Sequence, residues 1–222
     1  MRVLVALGGN ALPRRGELAE SSAQLADATA AAEALAGVAA DHELILTHGN
    51  GPQSGPPELQ SDGYGAAAPH PLELALRNAL PGRDLVTVLA AVVVDAEDGA
   101  RAPSKPIGPV YAAVEARRLV AERGWSIGPD GDGFRRLLPS PEPRAIVALR
   151  SLRTLLDAGA LVIRAGGGGV AVALDGDGTM QGVEAVVDED LTAALLARRL
   201  DADLLVMLTD VDAVYLDWGG GG

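Results

Sequence analysis

Residues 1–13, MRVLVALGGNALP, set the apolar run Val3–Leu7 directly against Gly8-Gly9-Asn10. A short, wholly apolar run cut off by glycines reads as a buried strand ending in a tight turn. The same pattern recurs along the chain. Glu43–Thr47 (ELILT) is stopped by HGNGP at His48–Pro52, and Leu161–Ala165 ends at Gly166–Gly169, with a further strand at Val170–Leu174. Leu204–Leu208 (LLVML) is broken by Thr209-Asp210, and Asp84–Val94 is a long β-branched strand. Helical stretches fall between them at Ser22–Ala40, from Pro71 to about Leu80, at Arg144–Ala158 and at about Leu191–Arg199. Strands alternating with helices predict an α/β fold, a mainly parallel sheet sandwiched by helices. Residues 95–143 differ: they hold many prolines and glycines, a helical patch at Ala112–Arg123 and a hairpin-like segment, GPDGDGFRRLLPSPEP. They read as a small subdomain inserted in one domain spanning 1–222.

At 222 residues the chain is long enough to bury a sizeable core. Its formal charge of −12 repels phosphate backbones and anionic lipid, which argues against a nucleic-acid or membrane-surface binder. With no cysteine, disulfide scaffolds, thiol catalysis and cysteine-held metals are excluded. No apolar run is long enough to span a bilayer, and the first residues enter a strand rather than a signal peptide, so the expected location is the cytoplasm. Of the 18 basic residues, 17 are arginines and one, Lys105, is a lysine. A compact ammonium and a planar guanidinium do different work, so a lone lysine in an arginine-rich chain draws notice.

The turns ALGGNAL, ILTHGNGPQSG and VIRAGGGGVAV all follow strands. In a parallel α/β sheet the ligand crevice lies beyond the carboxyl ends of the strands. Glycines there let main-chain N–H groups approach an anion, and a following helix N-terminus adds its dipole. A lone glycine turn is usually only a turn, but three in one chain point to a phosphate-handling cleft. There is neither a P-loop nor a G-x-G-x-x-G fingerprint, so an ordinary P-loop NTPase or dinucleotide dehydrogenase is excluded. Plainer readings stand beside this one. Lys105 can be a solvated surface lysine, and His48 a turn or core histidine. Asp188, Glu189 and Asp190 can serve as a helix N-terminus, Asp210 and Asp212 as turn residues, and Trp125, Phe134 and Trp218 as packing. His42, His48 and His70 have no metal-ligand spacing, and no protein metal site is expected.

Six segments taken together, ALGGNAL (6–12), THGNGPQ (47–53), KPIGPVY (105–111), AGGGG (165–169), GVEAVVDEDL (182–191) and LTDVDAVYLDWG (208–219), resemble the carbamate kinases of the amino-acid kinase family. The match runs in order through most of the chain. The resemblance implies an Mg²⁺-dependent phosphotransferase moving a phosphoryl group between ATP and carbamate, with carbamoyl phosphate and ADP on the other side. It implies a role in arginine catabolism and a homodimer. By motif, Gly8, Gly9 and Asn10 would hold transferring phosphate oxygens, and Asn50, Gly51, Gly167 and Gly168 would line the carbamate pocket. Lys105 would neutralise the phosphoryl group in flight, Asp190 would orient catalytic lysines, and Thr209, Asp210 and Val211 would bind nucleotide. The logic fits phosphoryl transfer, which asks for positioning and charge neutralisation more than covalent work. The family commonly has a lysine where this chain has Glu189, a longer helical segment near 71–78, and a further C-terminal stretch whose lysine touches nucleotide phosphates. Relative to that pattern the domain is C-terminally incomplete. Two other readings stay open: a catalytically impaired nucleotide- or carbamoyl-phosphate-binding protein, and another amino-acid kinase with a different acceptor.

Overall fold

A computed structural model describes residues 1–8, 21–48, 70–95, 97 and 102–209. Its centre is a sheet whose strands are β1 (Arg2–Leu7), β2 (Glu43–His48), β3 (Leu85–Val93), β7 (Ala145–Ile146), β8 (Leu161–Leu174), β9 (Met180–Gly182) and β10 (Leu204–Leu208). The order is β10-β1-β2-β8-β3-β7, with β9 also pairing β8. Every pairing from β10 across to β3 is parallel, while β7 and β9 add antiparallel edges.

The alternation of side chains along each strand splits the core in two. Val3, Val5, Leu7, Leu44, Leu46, Leu161 and Ile163 face α1 (Ser21–Asp41) and α2 (His70–Ala79). Leu4, Ala6, Ile45 and Val162 face α4 (Leu149–Asp157) and α5 (Glu189–Arg199). Helices cover both faces of β1, β2 and the first half of β8, so these strands are mainly apolar, as the sequence predicts, while β10 at the edge is partly exposed. Among the described residues no helix is long and apolar enough to cross a membrane.

Two elements differ from the sequence reading. The helix expected over Arg144–Ala158 begins only at Leu149, because residues 145–146 pair with the edge of β3. Arg144 N–H donates to Val93 O and Val147 N–H to Ala91 O, so the open strand edge captures backbone that would otherwise be helical. The second difference matters more. Leu161–Ala165 and Val170–Leu174 form one strand with a bulge, not two strands separated by a turn. On β3, Leu89 faces Ala165 and Ala91 faces Val170, so Gly166–Gly169 stand opposite the single residue Ala90. The four glycines loop out and the chain resumes its direction.

Residues 105–138 build a separate three-stranded antiparallel sheet. Its strands, β4 (Lys105–Tyr111), β5 (Ile127–Asp130) and β6 (Gly133–Leu138), run in the order β4-β6-β5, with α3 (Ala113–Arg123) alongside. Arg123 and Arg136 stack on Trp125 at 5.0 and 4.5 Å from the ring centre, giving this small sheet a cation–π centre.

Replacing the fully buried Leu4 by alanine leaves a cavity against α5 and is expected to cost about 3 kcal/mol of stability, read by urea denaturation.

Candidate active site

Parallel pairing sets the carboxyl ends of β10, β1 and β2 in a row with the glycine bulge of β8. Leu208 faces Leu7, Leu7 faces His48, and Thr47 faces Arg164, one residue before Ala165. Motifs separated by some 200 positions in the chain thus share one edge, where an α/β sheet opens its ligand crevice. At that edge Gly8 N–H donates to Leu208 O at 3.2 Å, so this donor is engaged with β10 rather than turned to a phosphate. Gly9, Asn10, Asn50, Gly51, Asp210 and Val211 lie outside the described residues. Thr209 is exposed just past β10.

The tetraglycine bulge is locked by close packing. Gly166, Gly167 and Gly169 have φ of 96°, 60° and 102°, backbone that residues with a side chain rarely adopt. A Cβ on Gly168 would lie 1.9 Å from Val187 O, so only glycine lets the backbone leading into α5 rest on the bulge. Thr192 of α5 sits over this contact, its hydroxyl 2.9 Å from both Gly168 O and Asp188 O. The N-terminus of α5 is therefore seated on the bulge with its dipole at the cleft edge.

Asp188 caps that helix. Its Oδ1 accepts from the N–H groups of Asp190 and Leu191, and its Oδ2 accepts from Lys105 Nζ at 2.5 Å. The lysine comes from the first residue of β4, so the small sheet delivers its ammonium to the helix that rests on the glycines. Two further links hold the sheets in this relation. Arg136 pairs with Glu184 at 2.6 Å, and Val186 N–H donates to Pro139 O.

The sequence reading named Asp190 as the residue orienting lysine; here the carboxylate on Lys105 is Asp188, two positions earlier, while Asp190 points outward and contributes its N–H to the cap. A helix N-cap needs a side chain aimed back along the axis, and that aim turns Asp188 toward β4.

Charge at this spot is crowded. Burial alone would raise the Asp188 carboxyl, but the Lys105 hydrogen bond and charge, with the two helix N–H groups, hold it below its ordinary value. Glu189 is pushed up to about 7 by burial first, then by the charges of Asp190 and Asp188, with Lys105 and Arg164 only partly offsetting them. Asp190 is raised by burial and by the charge of Asp188. On β8, just before the bulge, Arg164 is wholly buried and donates to Gly167 O and Gly168 O at 2.6 and 3.0 Å. Nothing in the sequence reading singled it out: an arginine inside a strand reads as a surface residue until the sheet is assembled around it. His48, at the end of β2, is 8% exposed and lowered by burial to about 4, so its imidazole is neutral near pH 7. Among the described residues no group of three or more His, Asp or Glu is arranged to hold a metal.

Two outcomes follow from this geometry. Gly168→Ala forces Val187 and α5 off the bulge, with an expected loss of about 2 kcal/mol or more and faster hydrogen exchange through 187–192. The second concerns pH. Glu189 binds its proton more readily folded than unfolded, so its contribution is complete below its ordinary 4.5 and is lost as pH rises through about 7. His48 acts in the opposite sense, its contribution complete above 6.5 and lost as pH falls through about 4. Removing the Glu189 titration with Glu189→Gln is expected to stabilise the variant relative to the parent by on the order of 3 kcal/mol more at pH 7 than at pH 4.5, measured by urea denaturation at both values.

The chain has counterparts in sequence and in fold. Residues 1–221 match the model of the amino acid kinase family. The chain is 44% identical over 236 residues to the carbamate kinase of Haemophilus influenzae, covering 99% of this chain and 76% of that one. Its fold is similar to that of the carbamate kinase from Giardia lamblia bound to citric acid, with a TM-score of 0.81, 32% identity, and 95% and 75% of the two chains covered. The same enzyme bound to AMP-PNP gives a TM-score of 0.77 at 32% identity over 95% and 74%.

Proposed function

From the chain's membership of the amino acid kinase family, and within it of the carbamate kinases, we propose that it moves a phosphoryl group between carbamoyl phosphate and ADP, forming carbamate and ATP, and the reverse. In the ATP-forming direction a β-phosphate oxygen of ADP attacks phosphorus. The bond from phosphorus to the carbamate oxygen breaks, and its electron pair leaves with carbamate. No proton need move, so the protein's task is to align two anions that repel each other and to neutralise the charge between them.

One observation carries this reading. The sole lysine, Lys105, is brought by a separate sheet to the helix N-terminus that rests on a glycine bulge, at the carboxyl edge of a parallel sheet. Cation and helix dipole then converge on one place, beside the glycine bulge. Lys105 is held by Asp188 when no phosphate competes for it, and the phosphoryl group would draw it across the cleft. Gly9 and Asn10, with Gly8 shaping the turn, are assigned to phosphate; Asn50, Gly51, Gly167 and Gly168 to the carbamate end; Thr209, Asp210 and Val211 to nucleotide. The role of orienting the lysine, expected of Asp190, is assigned to Asp188, which is its direct partner, with Asp190 two residues away. Mg²⁺ would enter with the nucleotide and be held chiefly by phosphate oxygens, screening the charge between the two anions. Residues 95–143 are assigned as an inserted, protruding subdomain of a single 1–222 domain. A cytoplasmic homodimer serving arginine catabolism completes the proposal.

The decisive assay is ATP formation from ADP, carbamoyl phosphate and Mg²⁺. The parent is expected to make ATP and Lys105→Ala to lose about 100-fold or more in kcat, since the charge it supplies is needed most in the transition state. A folded parent that binds ADP and yields no ATP overturns the assignment.

A further inference from the structure

Arg164 is a buried cation whose hydrogen bonds go to peptide oxygens rather than to a carboxylate. Nη1 binds Gly167 O, Nη2 binds Gly168 O, and Nε is buried without a partner. Burying a guanidinium without a paired anion is expensive, so the arrangement calls for a reason. The opposing charge acting on it is that of Glu189, whose Oε1 is likewise buried without a partner. Arg164 lies on β8 just before the bulge and Glu189 in the first turn of α5, and both elements meet at Gly168 O, which accepts from Arg164 and from Thr192.

The peptide geometry shows what Arg164 accomplishes. All peptide bonds among the described residues are trans, so each C=O and the N–H of the next residue point in opposite directions. Drawing Gly167 O and Gly168 O onto the guanidinium turns the N–H groups of Gly168 and Gly169 away from it. Thr192 reinforces the choice by bonding Gly168 O from α5. The space is exclusive: a Cβ on Gly169 would lie 2.2 Å from Arg164 Nη2. The guanidinium also adds positive potential immediately behind those N–H groups, in surroundings where water screens little.

We propose that Arg164 is the positioning residue for the anionic substrate, turning the Gly168 and Gly169 N–H groups toward it, and that Glu189 is the counter-charge that limits how strongly the bulge attracts it. This rests on the phosphotransfer reading above and names the end of the reaction it serves, the carbamoyl phosphate side. Lys105, Asp188 and Asp190 share the same field, and none of them touches the glycine carbonyls that Arg164 holds.

The test measures kcat and the two KM values at pH 8 for the parent, Arg164→Lys, Arg164→Met and Glu189→Gln. Arg164→Met is expected to raise KM for carbamoyl phosphate by about 10-fold or more, leaving KM for ADP within about twofold, with Arg164→Lys recovering part of the loss. Glu189→Gln is expected to lower KM for carbamoyl phosphate. Equal rises in both KM values, or a lower melting temperature with no change in KM, overturn the proposal. If Arg164→Met does not fold, Arg164→Lys and Glu189→Gln decide it by the same split. If the parent makes no ATP, the phosphotransfer reading fails separately and titration calorimetry with inorganic phosphate takes over. Phosphate binding weakened by Arg164→Lys and strengthened by Glu189→Gln supports the proposal, and absence of phosphate binding by the parent overturns it.

Discussion

The contact between Gly168 and the carbonyl of Val187 governs the cleft side of the molecule, because it brings two stretches of backbone closer than any side chain permits. Through it the N-terminus of α5 sits on the glycine bulge, and Asp188, capping that helix, is placed to receive Lys105. The small sheet is positioned by the same chain of contacts, since its links through Lys105, Arg136 and Pro139 all end on residues 184–188. Arg164 holds two carbonyls of the bulge, Gly167 O and Gly168 O, and shares the second with Thr192.

The electrostatic balance of the site is unusual in that three consecutive acidic residues open α5. Carboxylates at a helix N-terminus favour the dipole, yet each raises the cost of ionising its neighbours. The result is a division of roles. Asp188 stays ionised because it is hydrogen-bonded to a lysine and two N–H groups. Glu189, buried and beside two other carboxylates, holds its proton up to near neutrality. The three residues therefore carry less negative charge near neutral pH than their composition suggests.

Much of the architecture was legible because short apolar runs ending in glycine leave few alternatives to buried parallel strands. The strand positions near Val3, Leu44, Leu161 and Leu204, and the helices between them, follow from that pattern. Residues 144–148 were misread as helix because the edge of β3, which captures them, is remote in sequence. Gly166–Gly169 were read as the end of a strand because glycines alone do not reveal whether a chain turns or only bulges; the register with β3 on both sides of Ala90 settles it. Lys105 stood out by being the sole lysine, whereas Arg164 was hidden among 17 arginines.

By itself the sequence determined the fold class, the family motifs and the presence of one singular cation, since these rest on local pattern and residue identity. Only the tertiary structure decided which carboxylate that cation meets, which glycine carbonyls are held, and which arginine holds them. Those outcomes depend on atoms contributed by β4, β8 and α5, which are far apart along the chain. Their distances are set by strand register and by the close approach that Gly168 allows, neither of which any local stretch of sequence encodes.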